Sequence, residues 1–213
     1  MKNALLILAA IFLAPLAQAQ ELKEIKLNAP DKNRGTAVMT ALANRASVRA
    51  MDSRPLSHQD LSDLLWAAYG VNRPDGRRTA PTAKNDQDID LYVALPAGAY
   101  LYDAPNNLLK PVVSGDIRPL LAAGQEFVKS APVVLLIVSD YSRFRMNDPD
   151  LSRLWGAMDG GIVSQNINIF CAAVGLATVP RAYMDQPKLK EILHLSATQL
   201  PILNNPVGYP LVK

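Results

Sequence analysis

The sequence is short of the residues that most often build metal and redox centres. Its 213 residues include one cysteine and two histidines, which excludes an intrachain disulfide, a cysteine-rich zinc site and a site of three histidines. An excess of one charge is lacking as well, since 22 basic residues nearly balance 19 acidic ones and the formal net charge is +3. With no long run of lysine or arginine, this composition gives no indication of a nucleic-acid partner.

The motifs of several large enzyme classes are also absent. The chain has no glycine-rich dinucleotide fingerprint after a strand, no P-loop and no Gly-x-Ser-x-Gly elbow. A Rossmann cofactor site, a nucleoside triphosphate site and a serine hydrolase site are therefore not predicted. His58 follows a helix cap and His194 lies near a helix end, and neither is assigned a catalytic role. Cys171 lies among apolar neighbours and is interpreted as a core residue.

The first 19 residues have the features of an export signal. Lys2 supplies a positive charge, residues 4–16 are almost entirely apolar but too short for a stable anchor, and Ala17-Gln18-Ala19 has the small-x-small form that signal peptidase needs. We predict cleavage after Ala19 and an exported, periplasmic protein with a single domain, residues 20–213. A buried N-terminal helix is the alternative. No second apolar run is long enough to predict a membrane span after cleavage.

Patterns along the rest of the chain predict interleaved helices and strands. Ser57 and Asp60 form a helix-capping pattern, apolar residues follow at helical spacing up to Tyr69, and Gly70 ends the pattern. A hairpin is predicted around Asn106-Asn107. Helices are predicted at 36–44, 57–69, 116–123, 151–176 and after Asp185, and strands at 89–95, 100–102, 108–113, 132–138, 178–183 and 202–209. This order indicates one α/β or α+β domain.

The helix predicted over 151–176 is apolar nearly all round, apart from Asp159, Gln165, Asn166 and Asn168. Each of these polar residues would need a partner in lipid, so the pattern disfavours a membrane span. A helix that is apolar on every side is buried, either at the centre of the globule or between the chains of a dimer. The close approach allowed by Gly160-Gly161 favours a packed interface, and a plain core helix in a monomer is the alternative.

Two polar segments are candidates for ligand binding. Arg45-Ala46-Ser47-Val48-Arg49 places two guanidinium groups and a hydroxyl at alternate positions, and in an extended segment their donors converge, which suits a phosphate dianion. An ordinary solvated surface is the alternative. Residues 81–87 can present backbone and amide groups to the edge of a flat polar ring. Asp86, Asp88 and Asp90 have a calcium-loop spacing but lack its glycine and closing glutamate, so we predict no metal site.

Taken in order, these segments resemble the motifs of the nitroreductase family of FMN-dependent oxidoreductases, and especially its small members related to thiazoline/oxazoline dehydrogenases. The resemblance runs from Arg45-x-Ser47-x-Arg49 through residues 81–87 and Asp159-Gly160 to Val207-Gly208-Tyr209-Pro210. It covers about residues 43–213. It implies an α+β fold in which helices wrap a central, mostly antiparallel sheet and a long buried helix lies at a homodimer interface.

The resemblance also implies which residues bind FMN. In the family, the first motif holds the phosphate and ribityl chain, a proline-containing loop contacts the flavin ring, often across the dimer interface, and backbone groups after the long helix lie near flavin N5. A basic residue near the C-terminus reaches the phosphate. By position, the phosphate and ribityl chain would be bound by Arg45, Ser47 and Arg49. The ring would be contacted by Pro81, Thr82, Ala83 and Asn85, and the backbone near N5 would belong to Ala182 and Tyr183. The C-terminal basic residue would be Lys213.

The activity implied is ping-pong hydride transfer through flavin N5, from a small-molecule electron donor to a small-molecule acceptor. This chemistry needs no protein nucleophile, and no catalytic residue is assigned. Two alternatives stay open. One is a flavin-binding protein without turnover, in which Arg181 and Tyr183 block the working face of the flavin. The other is an exported binding domain that holds no flavin.

Overall fold

The structure is a computed structural model and describes residues 21–211. The predicted signal peptide and Lys213 lie outside these residues. The described chain forms seven strands and six helices. The strands are β1 Ile25–Lys26, β2 Ile89–Leu95, β3 Gly98–Asp103, β4 Leu108–Ser114, β5 Val133–Asp140, β6 Ala177–Thr178 and β7 Gln199–Gly208. The helices are α1 Val38–Asn44, α2 His58–Tyr69, α3 Arg118–Ala122, α4 Glu126–Ser130, α5 Pro149–Val174 and α6 Gln186–Ile192.

All seven strands belong to one antiparallel sheet with the order β1-β4-β3-β2-β5-β7-β6. Strands β3 and β4 form the predicted hairpin, with Asp103 opposite Leu108. Helices and strands therefore alternate along the chain while the sheet stays antiparallel. The α+β class is confirmed.

Strand β5 feeds two hydrophobic cores, one on each face of the sheet. Val133, Leu135 and Ile137 pack into the core beneath α2 and α5. The intervening residues, Val134, Leu136 and Val138, pack into the core beneath α3 and α6. Since side chains alternate along a strand, a strand covered on both sides must be apolar at every position. This explains the continuous Val/Leu/Ile run that predicted a buried strand.

The predicted caps of α2 and α6 are confirmed, whereas α5 begins and ends two residues before its predicted bounds of 151 and 176. The Ser57 side chain accepts a hydrogen bond from the Asp60 N–H at the start of α2, and Asp185 accepts one from the Lys188 N–H at the start of α6. Helix α5 begins after Asp148, whose side chain accepts from the Leu151 N–H, and ends at Gly175, where φ is 77°. A glycine takes that left-handed conformation without a steric penalty.

Helix α5 crosses the sheet with one face buried and the other exposed. Gly156 lies against Ser139 of β5, and Gly160 lies against Ile137 and Ile202, so the absence of side chains lets the helix approach the strands. The outer face exposes a stripe of four apolar residues: Leu151, Leu154, Met158 and Ile162. Within one chain, α5 is therefore buried on one side only. Its apolar outer face, which the sequence predicted to be buried, is uncovered.

Some elements differ from the predictions. The short helix α4 and the two-residue strand β1 were not predicted, the strand predicted at 178–183 is reduced to β6 at Ala177–Thr178, and α3 is shorter than expected. Short elements of this kind carry too few residues for a periodic pattern, and their neighbours in the fold hold them in place. None of the helices within residues 21–211 is long and apolar enough to cross a membrane.

Candidate functional site

The segment of residues 45–49, here called the arginine segment, is extended and lies at one edge of the sheet. It begins where α1 ends, because Arg45 leaves the helical conformation with a ψ of 116°. The Val48 N–H donates to Thr178 O at 2.9 Å, and just beyond the segment Leu211 N–H donates to Ala50 O at 3.1 Å. These bonds fix the backbone beside β6. Arg45, Ser47 and Arg49 are all exposed, as expected for side chains that share one side of an extended segment.

The charges of the arginine segment are not neutralised by any side chain within residues 21–211. Within residues 21–211, neither Arg45 nor Arg49 forms a salt bridge or a side-chain hydrogen bond, whereas Arg34, Arg118 and Arg143 all pair with carboxylates. Two uncompensated guanidinium groups at i and i+4, with a hydroxyl between them, suit an anion with several oxygen atoms. The residues present therefore fit a phosphate group.

Residues 81–85, here called the Pro81 loop, carry unusual backbone angles. Lys84, Asn85 and Gln87 have φ values of 54°, 55° and 47°. Non-glycine residues rarely adopt this left-handed region, and each instance has an energetic cost that its surroundings must offset. The loop is held by a bond from the Gln87 N–H to Thr82 Oγ1 at 3.0 Å and by a bond from the Ala83 N–H to Asp159 Oδ2 at 2.8 Å.

The Pro81 loop opens to a cavity of about 370 Å³. Pro81, Thr82 and Asn85 line one side of it, and arginines line the other. Pro81 and Asn85 are exposed, while Thr82 and Ala83 are partly buried. The loop therefore offers polar backbone and an amide side chain to a ligand, but the Ala83 N–H already donates to Asp159.

The arginine segment and the Pro81 loop do not meet within one chain. The Pro81 loop contacts α5 at Asp159, whereas the arginine segment contacts Thr178, just beyond the end of the helix at Val174. The intervening stretch of α5 is about 15 residues, or roughly 22 Å at 1.5 Å per residue. A five-carbon ribityl chain alone does not cover that distance. The separation favours a flavin that contacts the arginine segment of one chain and the Pro81 loop of another.

Residues 177–185 begin beside the arginine segment, where Thr178 O accepts from the Val48 N–H, and they present two of the predicted residues to solvent. Ala182 is exposed, and Tyr183 is 66% exposed. Arg181 instead turns inward and is 8% exposed. Its guanidinium donates to four oxygen atoms: Leu121 O, Ala122 O, Asn204 Oδ1 and Gln125 Oε1. Arg181 therefore satisfies carbonyl groups at the end of α3 and does not stand over this face, which leaves Tyr183 as the one large side chain there.

Sequence reasoning missed a pair of buried carboxyl groups, Asp88 and Asp159, which are 0% and 4% exposed. Ser139 Oγ donates to Asp88 Oδ2 at 2.6 Å, and the same oxygen lies against Gly156, one turn of α5 before Asp159, so the two carboxyl groups face each other. Burial raises the pKa of Asp88 to about 7, and the neighbouring carboxyl adds to the shift. Burial also raises the pKa of Asp159. The signals in the sequence were an aspartate at the entrance to a buried strand and another in an apolar helix.

The remaining titratable residues that the sequence pointed to are paired with arginines or buried in the core. Asp86 pairs with Arg145 and Asp90 with Arg143, so the aspartates spaced like a calcium loop point to separate partners. Cys171 is buried, and burial raises the pKa of its thiol. Within residues 21–211, no group of three or more His, Cys, Asp or Glu side chains has the arrangement of a metal site.

Fold and site together define an α+β protein with a pair of exposed arginines, unpaired within residues 21–211, and a polar loop in a left-handed backbone conformation. The model of the nitroreductase family matches residues 42–209. The chain belongs to the nitroreductase family, whose members are generally oxidoreductases. That match begins just before the arginine segment and ends at Tyr209.

Individual relatives agree with this assignment. The chain is 30% identical to a protein of Methanocaldococcus jannaschii that is named a nitroreductase, over 90% of this chain and 94% of the relative. It is 25% identical to the FMN reductase [NAD(P)H] of Bacillus subtilis, over 81% of this chain and 66% of that protein. The crystal structure of a Ralstonia eutropha protein described as a nitroreductase superposes with a TM-score of 0.84 at 35% identity, covering 93% of each chain.

Proposed function

We propose that this chain is an exported, FMN-dependent oxidoreductase that transfers hydride from a small-molecule donor to a small-molecule acceptor. The observation that carries the proposal is the pair of exposed, unpaired guanidinium groups at Arg45 and Arg49 beside Ser47. Membership of the nitroreductase family and the likeness to an FMN reductase support flavin as the ligand. The motifs quoted above favour the thiazoline/oxazoline dehydrogenase branch.

The arginine segment would hold the phosphate of FMN. Charged hydrogen bonds from Arg45 and Arg49, with a further bond from Ser47, offset the cost of removing a dianion from water. Lys213 lies outside the described residues and stays a prediction as a further phosphate contact. The bond from the Leu211 N–H to Ala50 O supports it, because it brings residue 211 next to the arginine segment.

The flavin ring would lie between two copies of the chain. Helix α1 packs on α5, and the two helices leave these apolar side chains uncovered: Val38, Met39, Leu42, Leu151, Leu154, Met158 and Ile162. Exposed apolar surface of this extent is typical of an interface. The separation of the arginine segment from the Pro81 loop supports the same arrangement, since a homodimer supplies both to one site.

When bound, the flavin supplies the redox chemistry by accepting and then donating a hydride at N5. The chain's residues would bind and orient it. Ala182 and Tyr183 border the arginine segment on the exposed face, so they are the residues best placed to contact the ring near N5 and to limit which acceptors stack on it. Pro81, Thr82, Ala83 and Asn85 would contact the ring from the partner chain.

The absorption spectrum of the purified protein tests the proposal. We expect a yellow protein with flavin absorption, and we expect the released chromophore to have the mass of FMN. A reducing donor should bleach the spectrum and a substrate should restore it. A colourless protein that does not change on addition of FMN would contradict the proposal. A flavin that is reduced by dithionite but never reoxidised by a substrate would favour binding without turnover.

Export is proposed from the N-terminal sequence alone. The positive residue Lys2, the apolar residues 4–16 and the Ala17-Gln18-Ala19 site support it. The mass of the protein recovered from the periplasm should correspond to a chain that begins at Gln20. A full-length chain confined to the cytoplasm would contradict the proposal.

A further inference from the structure

The buried carboxyl pair has fewer hydrogen-bond donors than two ionised groups need. Asp88 Oδ2 receives the Ser139 hydroxyl, but Asp88 Oδ1 has no partner among the described residues. Asp159 Oδ2 receives the Ala83 N–H. Neither carboxyl forms a salt bridge within residues 21–211, although Asp60, Asp86 and Asp90 all do. Two ionised carboxylates in contact, buried and without a cation, would carry a large electrostatic cost.

A single proton shared by the two carboxyl groups removes this electrostatic cost. A carboxylic acid on Asp88 donates its O–H to Asp159, so the unpartnered Asp88 oxygen gains a bond and the two groups carry one negative charge between them. Asp159 then accepts two hydrogen bonds, from Asp88 and from the Ala83 N–H. The raised pKa of Asp88, about 7, agrees with the proton residing on that residue.

The ionisable residues that face the pair from neighbouring elements within residues 21–211 do not supply it with a proton or a counter-charge. Asp86 faces the pair from the chain before β2, but it is paired with Arg145. Tyr69 faces it from α2, with Arg78 and Arg143 beyond, and burial raises the pKa of Tyr69, so the phenol stays neutral. Arg143 pairs bidentately with Asp90. Around the pair, Asp86 and Arg143 are therefore matched by other partners, and Arg78 lies over the Tyr69 ring.

We propose that Asp88 and Asp159 share a single proton, and that this pair is the positioning device that holds the Pro81 loop against α5. The loop adopts left-handed backbone angles at Lys84 and Asn85, and the Ala83 bond to Asp159 is the contact that ties it to the helix. Loss of the proton places two like charges in contact and moves Asp159 away from Ala83. The loop then loses its support, and flavin retention falls. This last step rests on the proposed function; the shared proton does not.

The test compares the wild type with Asp88→Asn, since an amide at this position donates to Asp159 as the acid does but does not titrate. The folded wild type holds a proton with a pKa of about 7 that the unfolded chain, with an ordinary aspartate pKa near 3.8, has released. Its unfolding equilibrium constant should therefore rise with pH, by up to about tenfold per pH unit, between about pH 4 and pH 7, and level off above. Asp88→Asn should lack this rise. Asp116→Asn, which removes an exposed aspartate paired with Arg118, should keep the wild-type profile.

Two further measurements on the same samples report on the Pro81 loop: hydrogen exchange of the Ala83 N–H and the affinity for FMN. Hydrogen exchange should show protection of the Ala83 N–H in wild type and Asp88→Asn at pH 6, and loss of protection in Asp159→Ala. FMN affinity of the wild type should fall several-fold from pH 6 to pH 9, while that of Asp88→Asn stays level.

The outcomes separate the two proposals. If the wild type and Asp88→Asn have the same pH profile of unfolding, the shared proton is wrong, whether or not FMN binds. If the profiles differ as expected but neither protein binds FMN at any pH, the pair stands and the proposed function fails. If FMN affinity is independent of pH in the wild type while unfolding is not, the positioning role is wrong. Should Asp159→Ala fail to fold, Asp88→Asn alone decides the question.

Discussion

Arg45 and Arg49 carry charge that nothing in residues 21–211 balances, and this makes them the residues most directly tied to the proposed cofactor. An exposed guanidinium group gains little from an ordinary surface ion pair, but it gains more from a phosphate held by several donors at once. Because the two side chains lie on one side of an extended segment, they can reach a single phosphate. Their contribution should therefore depend on the phosphate and not on the flavin ring.

Replacing Arg45 by alanine should weaken FMN binding about ten- to hundredfold, because it removes a charged hydrogen bond that contributes roughly 1.5–3 kcal/mol. Riboflavin has the same ring but lacks the phosphate, so its affinity should not change. Fluorescence titration with both compounds measures the difference. Lys129→Ala, which removes an exposed cation paired with Glu126, is the control. Equal losses for FMN and riboflavin would contradict the assignment of Arg45 to the phosphate.

Arg181 shows what sequence can and cannot establish about a single residue. Its place after the long helix predicted a side chain on the flavin face. The structure instead shows a buried guanidinium bonded to the last carbonyl groups of α3. The direction of a side chain depends on acceptors from distant parts of the chain, here residues 121–125 and Asn204, and no local pattern records them. Asp88 and Asp159 escaped prediction for the same reason, since they lie 71 residues apart in the sequence and meet only in the fold.

Helix α5 depends on small residues for its distance from the sheet. A Cβ added at Gly156 would overlap the Ser139 hydroxyl and lie 2.9 Å from Ser139 Cβ. Those atoms belong to a central strand and cannot move aside. Gly161, facing away from the sheet, has no atom within 4 Å of an added Cβ.

Gly156→Ala should therefore destabilise the protein by about 1–3 kcal/mol through overpacking, and the shifted Ser139 should also disturb its bond to Asp88. Gly161→Ala introduces the same methyl group on the open side of the helix and should cost far less, since alanine has the higher helix propensity. Chemical denaturation of the two variants measures both effects. Similar stability for Gly156→Ala and the wild type would show that the close packing of α5 on β5 is wrong.

Among the helices and strands, the features predicted correctly from the sequence are those set by residues close to each other in the chain. Ser57 and Asp185 mark helix starts because their side chains act within one turn. The apolar run in β5 was readable because both of its faces are covered. Strand β1 was not predicted and β6 was predicted too long, because two-residue strands have no periodicity and pair only where β4 and β7 offer a free edge.

For the whole molecule, the uncovered apolar surface on α1 and α5 is the feature that the single chain does not account for. Met39 is 76% exposed and Met158 is 56% exposed. Contact with a second copy would remove this surface from water and bring the arginine segment and the Pro81 loop of different chains within reach of one ligand.

Placing charge on this surface should separate the chains. Leu154→Glu combined with Met158→Glu puts two carboxylates on the α5 stripe, and burying them in an interface would be strongly unfavourable. Sedimentation should show a monomer for this variant and a dimer for the wild type, and the variant should also lose FMN. Lys188→Glu, on exposed α6, should behave as the wild type. A dimeric, fully loaded double variant would contradict the interface.

A mixed-dimer experiment tests most directly the central claim that FMN is held by two chains. One chain carries Arg45→Ala and Arg49→Ala, and the other carries Thr82→Ala and Asn85→Ala in the Pro81 loop. Each variant alone should hold little FMN, because every site in its homodimer has one defect. In a mixed dimer, one of the two sites combines the intact loop of the first chain with the intact arginines of the second. The account predicts that mixed dimers regain FMN at one site in two. Mixed dimers that bind no more FMN than the separate variants would contradict it.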